Sequence, residues 1–223
     1  MAAVFAGLAL VFMVVNWLSV WHEWRFSNYA SKALVILFLL LWLLFFEQAG
    51  LHIYLFAAGL FCSLVGDIFL LLSSRFFLHG MIAFLFTHLF YFGGYFFPPP
   101  PLSIMALSIM LFSISLWIFI FSALRRWISQ NGAYNRLLKP FTLYSLAICA
   151  MVSAAFLTLT RMDWRSEASG LAVSGAILFL FSDLLLAYDR FVQPLPAARL
   201  WKRVSYHLGQ LAIIASVILQ FPL

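Results

Sequence analysis

Two aspartates, Asp67 and Asp183, stand inside long apolar stretches of the sequence. A carboxylate within a membrane-spanning helix costs at least about 2.5–3.5 kcal/mol on insertion scales, so its presence indicates a function. When two carboxyl groups share a site, one keeps its proton while the other stays ionised. The pair therefore predicts acid–base catalysis. A structural ion pair with Lys32, Arg75 or a tyrosine is the alternative.

Further polar side chains are expected in the same half of the membrane as the aspartates, with His88 deeper, near the midplane. At 1.5 Å per residue, Asp67 and Asp183 lie roughly 10 Å and roughly 8 Å from the carboxyl-terminal ends of their apolar stretches. Helical periodicity groups the other polar residues on faces that one cavity could contain. Close packing is the alternative for the serines, and a bond to a backbone carbonyl is the alternative for His88. The candidates for binding or orienting a substrate are Lys32, Ser63, Arg75, His88, Tyr91, Tyr144, Ser182, Tyr206 and Gln210.

The histidines and cysteines do not form a metal or disulfide pattern. Histidines occur at positions 22, 52, 79, 88 and 207, and no two are four residues apart. A zinc site on a helix needs histidines at i and i+4, or a comparable cluster, so we expect no metal. Cys62 and Cys149 both fall in apolar stretches, which favours packing over a disulfide framework.

The composition identifies the environment of these residues. Of 223 residues, 65% are hydrophobic and 9% charged, and the mean hydropathy is +1.05. A soluble domain has about 45–50% apolar and about 25% charged residues. The net charge of +6 comes from dispersed Lys and Arg without a basic run, which excludes nucleic-acid binding. The chain is predicted to be an integral membrane protein.

Eight apolar stretches follow one another along the chain, most of them long enough to cross a hydrocarbon core about 30 Å thick. The run 98–101 is all proline and separates the fourth stretch from the fifth. Period-two alternation, typical of membrane barrels, is lacking. We therefore expect an all-α polytopic bundle of eight transmembrane helices in one membrane-embedded domain, 1–223. The spans are expected at 2–20, 33–47, 51–73, 76–97, 102–123, 140–160, 169–188 and 203–221.

The charged loops predict an orientation. All Lys and Arg except Arg161 and Arg165 belong to the loops or helix ends that follow odd-numbered spans. Cytoplasmic loops attract Lys and Arg, so these loops are expected in the cytoplasm and both termini on the non-cytoplasmic side. The start of the chain has no basic residue, which favours a retained helix over a signal peptide. A compact chain of this kind fits a bacterial inner membrane, with the endoplasmic reticulum as the alternative.

The two halves of the chain share a pattern. Asp67 and Asp183 stand in the third and seventh spans, each after a small residue and before an apolar run. Lys32 and Lys139 occupy matching positions at the start of the second and sixth spans. This pattern predicts a weak repeat of four plus four helices, 1–97 and 102–223, with chance similarity of apolar strings as the alternative.

Three segments, 66–71, 77–91 and 175–187, resemble motifs of the lysoplasmalogenase (YhhN-type) membrane-protein family. They contain both aspartates and the Gly–Phe–His–Tyr run between them. Ala33 stands where the family often has proline, a departure that leaves the acids untouched. The resemblance extends to Lys32, Pro140, Tyr144, Tyr206 and Gln210.

The resemblance implies hydrolysis of the vinyl-ether bond of a lysoplasmalogen, a lysophospholipid held in the bilayer. The products would be a fatty aldehyde and glycerophosphoethanolamine or glycerophosphocholine, with no metal or organic cofactor. Such a bond breaks when its β-carbon is protonated and water captures the resulting oxocarbenium ion. This chemistry needs a protonated acid and a carboxylate, which is what a buried aspartate pair offers.

On this hypothesis Asp67 and Asp183 are the catalytic pair, with their two roles open. The lipid chain would extend into the Phe-lined interior. The residues expected to orient water or a carboxylate are Tyr206, Gln210 and His88, and those expected to meet the phosphate are Lys32, Arg75 or Tyr144.

Two other functions compete with this one. A zinc-dependent amidase of the alkaline-ceramidase kind would need the histidine cluster that the sequence lacks. A proton-coupled carrier could use buried Asp and His, but carrier sites usually rest on interrupted helices. The prolines all lie at span ends or in loops, which favours a static reaction chamber.

Overall fold

The computed structural model describes residues 1–46, 50–130, 137–195 and 198–221. These residues contain eight α-helices and no β-strand. Short 3₁₀ turns, Ser74–Phe76 and Thr158–Thr160, precede the fourth helix and follow the sixth. The helices are α1 (Ala2–Trp21), α2 (Arg25–Leu44), α3 (Leu51–Leu71), α4 (Phe77–Phe96), α5 (Ile104–Gln130), α6 (Leu138–Leu157), α7 (Ser166–Phe191) and α8 (Ala198–Gln220).

Seven of these helices, α1–α7, are long and apolar enough to cross a membrane. This confirms the all-α polytopic membrane fold. The eighth helix is long enough but less apolar, because its first two turns carry Arg199, Lys202 and Arg203. Its middle carries Tyr206 and Gln210, which are buried inside the bundle. The count of eight spans and the side on which the termini lie stay predictions, as do the single domain and the repeat.

Three helices extend beyond their expected spans at charged ends. Helix α2 begins at Arg25 and α8 at Ala198, earlier than the apolar stretches begin, and α5 continues to Gln130. Basic side chains do not stop a helix at a membrane surface, because they reach towards the polar interface. As a consequence Lys32 lies two turns inside α2, where it is 7% exposed.

Glycines let two helix pairs approach closely. A Cβ on Gly175 of α7 would lie 2.8 Å from the Ile213 nitrogen and 2.9 Å from the Gly209 oxygen of α8. A Cβ on Gly66 of α3 would lie 3.2 Å from the Gly80 oxygen of α4. Small residues of this kind permit backbone contact between membrane helices. The contact of α7 with α8 and of α3 with α4 fixes the elements that carry both aspartates.

We call the end of the bundle where α1, α3 and α7 finish and α2, α4 and α8 begin the basic end. The Arg199 guanidinium lies 3.5 Å from the Glu23 carboxylate, which joins the start of α8 to the turn between α1 and α2. The Arg190 guanidinium lies 4.7 Å from the centre of the Phe77 ring, which joins the end of α7 to the start of α4. The basic end is the one predicted to face the cytoplasm.

The opposite end is held by Arg161. This residue is 6% exposed, and its guanidinium donates to the Pro98 carbonyl at 2.8 Å and to the Asp163 carboxylate at 2.7 Å. The hydrogen bond from Arg161 lowers the pKa of Asp163, which lies in the loop between α6 and α7. Gln220 accepts from the Arg165 backbone N–H at 2.9 Å. These contacts tie α4, α7 and α8 together far from the aspartates of α3 and α7.

Candidate active site

The Asp67 carboxylate is completely buried and contacts a cation. Lys32 of α2 places its Nζ 2.5 Å from Asp67 Oδ1. The Tyr206 hydroxyl of α8 donates to Asp67 Oδ2 at 2.9 Å. Burying a charge is unfavourable unless it is paired and hydrogen-bonded, and Asp67 has both kinds of contact. Three helices therefore meet at one carboxylate.

A directed chain of hydrogen bonds leads to Asp67. Tyr91 donates to Gln210 Oε1 at 2.7 Å, and Gln210 Nε2 donates to Ser63 Oγ at 2.7 Å. Ser63 and Tyr206 are joined at 2.8 Å. Because Tyr206 gives its only hydroxyl proton to Asp67, Ser63 is the donor in that bond. Bonds that point the same way polarise one another, so the chain favours negative charge at Asp67.

Asp183 has a different set of partners. The Tyr144 hydroxyl of α6 donates to Asp183 Oδ2 at 2.6 Å. His88 Nε2 of α4 lies 3.1 Å from the Tyr144 hydroxyl and 3.4 Å from Asp183 Oδ2. His88 Nδ1 is buried, without a hydrogen-bond partner among the described residues. A bare Nδ1 fits a neutral imidazole with its hydrogen on Nε2, so the two side chains that contact Asp183 are neutral groups.

Both aspartates line one polar cavity of about 690 Å³ at the basic end. The cavity lies among α1, α2, α3, α4, α7 and α8. A space of this size accommodates a lipid headgroup together with water. Its lining is Val20, Asn28, Lys32, Asp67, Leu70, Ser74, Phe77, Phe84, Ser182, Asp183, Leu186, Asp189, Arg190, Arg199, Lys202, Arg203 and Tyr206.

An apolar pocket of about 50 Å³ adjoins this cavity between α4, α5, α6 and α7. Asp183 lines both spaces, together with Leu70, Phe77, Phe84 and Leu186. The rest of the pocket wall is mainly aliphatic and aromatic, with the Tyr144 hydroxyl beside Asp183. The Asp183 carboxyl therefore lies at the boundary between a polar space and an apolar space.

The structure brings most of the predicted site residues together, but three of them have other contacts than expected. Ser182 lines the cavity, yet its hydroxyl donates to the Lys202 backbone carbonyl at 3.0 Å. Arg75 is exposed, its guanidinium lies 4.8 Å from the centre of the Phe76 ring, and it does not line the cavity. Lys32, proposed for the phosphate, instead contacts Asp67.

Of the five cations that line the cavity, the sequence singles out Lys32 but not the other four. Arg190, Arg199, Lys202 and Arg203 project from the end of α7 and the start of α8. In the sequence these residues appear as positive charge next to the seventh and eighth apolar stretches. Such charge also determines which loops face the cytoplasm. Only the approach of these two helix ends to Asp67 and Asp183 identifies them as part of a site.

A metal site usually gathers three or more His, Cys, Asp or Glu side chains. Across the part of the chain that the structure describes, no three or more His, Cys, Asp or Glu residues come together as a group able to hold a metal ion. His88 faces a tyrosine and a carboxylate, and the Trp17 indole N–H donates to Nδ1 of His207 at 3.2 Å. The contacts of His88 and His207 are therefore hydrogen bonds of the kind that hold or transfer protons.

Fold and site together define a class: a polytopic all-α membrane protein with two carboxyl groups in a basic cavity beside an apolar pocket. The YhhN family profile matches residues 27–217, and the chain belongs to that family. No solved structure was found to match.

Relatives with assigned names cover most of the chain. Lysoplasmalogenase TMEM86B of Mus musculus is 32% identical over 197 residues, which is 88% of this chain and 76% of that protein. Lysoplasmalogenase TMEM86B of Homo sapiens is 31% identical over 188 residues, 84% of this chain and 74% of that protein. Lysoplasmalogenase TMEM86A of Homo sapiens is 30% identical over 161 residues, covering 72% and 63% respectively.

Proposed function

We propose that this protein is a lysoplasmalogenase, which hydrolyses the vinyl-ether bond of a lysoplasmalogen. The products are a fatty aldehyde and glycerophosphoethanolamine or glycerophosphocholine. The observation that carries the proposal is the position of Asp183, which lines both the polar cavity and the apolar pocket. A vinyl-ether bond joins a polar glycerol to an apolar chain, so it belongs at such a boundary.

The reaction begins with transfer of a proton from Asp183 to the β-carbon of the vinyl ether. The double-bond electrons form the new C–H bond, and the positive charge rests on the α-carbon and the ether oxygen. A positioned general acid typically accelerates a reaction about 10²–10⁴-fold. The Tyr144 hydroxyl, 2.6 Å from Asp183 Oδ2, holds the carboxyl group in place.

Water then adds to the α-carbon and returns a proton to the Asp183 carboxylate. The hemiacetal collapses to the aldehyde, and the glycerol oxygen leaves with a proton. The Asp67 carboxylate supplies negative charge to the same cavity while the cation forms. Its contacts with Lys32 at 2.5 Å and Tyr206 at 2.9 Å support this ionised role.

Isotopes test this sequence of steps on the purified protein in nanodiscs. In D₂O the aldehyde, trapped at once as a hydrazone, should carry one deuterium at the carbon next to the carbonyl. In H₂¹⁸O the glycerol product should keep ¹⁶O, because the bond that breaks joins oxygen to the alkenyl carbon. Labelled glycerol or an undeuterated aldehyde would contradict the mechanism.

Substrate comparison tests the activity itself. Lysoplasmenylethanolamine should release aldehyde, whereas its 1-acyl and 1-alkyl counterparts should release none. Asp67→Asn and Asp183→Asn should both lose turnover. Asp163→Asn is the matched control, since Asp163 lies at the opposite end of the bundle. Full turnover in both site variants would end the assignment of the aspartates.

The carrier alternative is tested in the same preparation. Helices α1–α7 run without a break across the described residues, which gives alternating access no interrupted helix to use. In liposomes, lysoplasmalogen should be converted to aldehyde and should not accumulate unchanged in the lumen. Accumulation of intact lipid without aldehyde would favour the carrier.

A further inference from the structure

The cavity wall at the basic end carries more cations than carboxylates. Three of its cations are already paired, since Lys32 contacts Asp67 at 2.5 Å, Lys202 Nζ lies 2.5 Å from Asp189 Oδ2 and Arg199 contacts Glu23 at 3.5 Å. The lining contains five cations, Lys32, Arg190, Arg199, Lys202 and Arg203, against three carboxylates, Asp67, Asp183 and Asp189. Such a wall favours an anionic ligand.

Arg203 is the cation with the least satisfied side chain. Within the described residues it forms no ion pair, and its Nη1 is buried without a hydrogen-bond partner. A buried guanidinium N–H that lacks an acceptor is unfavourable. Arg203 also lies one turn before Tyr206 on α8, close to the group that holds Asp67. The position therefore lacks an anionic acceptor.

Arg190 is oriented towards the same space. It follows Asp183 by seven residues, which puts both on one face of α7, separated by roughly 10 Å along the helix axis. Its guanidinium stacks on the Phe77 ring at 4.7 Å, and both residues line the cavity. No carboxylate among the described residues pairs with it. Guanidinium groups match the geometry of phosphate oxygens with paired hydrogen bonds.

We propose that Arg203 and Arg190 form the subsite for the phosphodiester of the lysophospholipid headgroup. This inference rests on the proposed function. The headgroup then lies on the basic side of Asp183, and the first carbons of the alkenyl chain lie at the apolar pocket on its other side. Anchoring the phosphate places the vinyl ether at the boundary where Asp183 stands, so the subsite sets both the affinity and the position of the scissile bond.

The test compares two substrates that differ only in the phosphoethanolamine headgroup: lysoplasmenylethanolamine and the corresponding alkenylglycerol. Arg203→Gln should lower kcat/KM for the phospholipid about 10- to 100-fold, the range of a lost bond to a charged group. The loss on alkenylglycerol should be at least about tenfold smaller. Arg203→Lys should recover part of the loss, because it keeps the charge without the planar fork.

Controls separate recognition from folding. Arg25→Gln removes an exposed cation at the same end that does not line this cavity, and it should match wild type on both substrates. Melting temperatures of all variants show whether they are folded. An equal loss on both substrates by Arg203→Gln and Arg203→Lys, or no loss on the phospholipid, would overturn the subsite.

A binding measurement tests the phosphate subsite independently of catalytic activity. Intrinsic tryptophan fluorescence reports binding of a 1-alkyl lysophosphoethanolamine, which cannot be cleaved, and of the matching alkylglycerol. Arg203→Gln should weaken only the phospholipid, by at least about tenfold. If the wild-type protein binds in this way but cleaves no lysoplasmalogen, the proposed activity is refuted while the phosphate subsite is supported. Equal competition by inorganic phosphate at the same concentration would assign the subsite to a free anion and overturn the headgroup proposal.

Discussion

Asp67 and Asp183 are the same residue type, each near the basic end of its helix, and both line the same cavity, yet their surroundings differ. The Asp67 side chain has no exposed surface, contacts the Lys32 ammonium group and ends a chain of four hydrogen bonds. The Asp183 side chain is 15% exposed and contacts a phenol and an imidazole. Only Asp183 borders the apolar pocket. The environment of each carboxyl group, rather than its identity, decides what it can do.

The difference assigns the roles within the proposed function. A cation and aligned donors fit a carboxylate, so Asp67 suits the charged role. A carboxyl group among neutral partners, beside the space for an apolar chain, suits proton donation to carbon. If the two environments differ in this way, variants at the two aspartates should differ in their effects on turnover and on stability.

The largest effect is expected from Asp183→Asn. Because the amide can still bond to Tyr144 but cannot donate an acidic proton, turnover should fall about 10²–10⁴-fold. The melting temperature should stay close to that of wild type. Single-turnover aldehyde release and differential scanning fluorimetry measure the two quantities, with Asp163→Asn as control. A large fall in melting temperature would mean that Asp183 is a structural residue like Asp67.

Asp67→Asn should reduce stability as well as activity. The substitution leaves the Lys32 ammonium group buried without its carboxylate, and breaking a buried ion pair costs about 3–5 kcal/mol. Combining it with Lys32→Met removes both charges and should restore most of the stability but none of the turnover. Thermal unfolding of the wild type, the single variant and the double variant provides the measurement. A stable single variant would show that the ion pair contributes little.

Much of the fold and the two acids could be predicted from sequence, because both depend on local signals. Apolar length alone identifies the helices, and a carboxylate inside such a helix is unfavourable enough to indicate a site. Which helices are neighbours is not a local property. Ser63 therefore resembled an ordinary packing residue until α8 brought Tyr206 and Gln210 against it.

Charged helix ends were harder to interpret. Lys32 was expected at a span boundary, since residues 25–32 are too polar to extend an apolar stretch. In the structure α2 begins at Arg25, and Lys32 lies inside the bundle against Asp67. Arg203, at the start of the expected eighth span, likewise counts in the sequence only as one of the charges that orient the protein. Charge near a membrane surface has two uses, and only the tertiary structure distinguishes them.

Tyr144→Phe tests how much Asp183 depends on the hydrogen bond from its neutral partner Tyr144. It removes the hydroxyl that donates to Asp183 Oδ2 at 2.6 Å and leaves the ring in its contact with His88. One hydrogen bond to a charged or reacting group is worth about 1.5–3 kcal/mol, so turnover should fall about tenfold or more. The measurement is kcat for aldehyde release. Unchanged kcat would show that Asp183 needs no positioning.

Tyr91→Phe is the matched change at the far end of the Asp67 chain and should have the smallest effect. It also removes one buried hydroxyl, but three residues separate it from Asp67. Gln210 Oε1 loses its donor, which should lower stability by about 1 kcal/mol. Because Lys32 and Tyr206 still contact Asp67 directly, kcat should fall less than tenfold, below the change expected for Tyr144→Phe. If kcat falls as far as in Tyr144→Phe, the chain transmits its effect through four bonds, and Asp67 is as sensitive to its surroundings as Asp183.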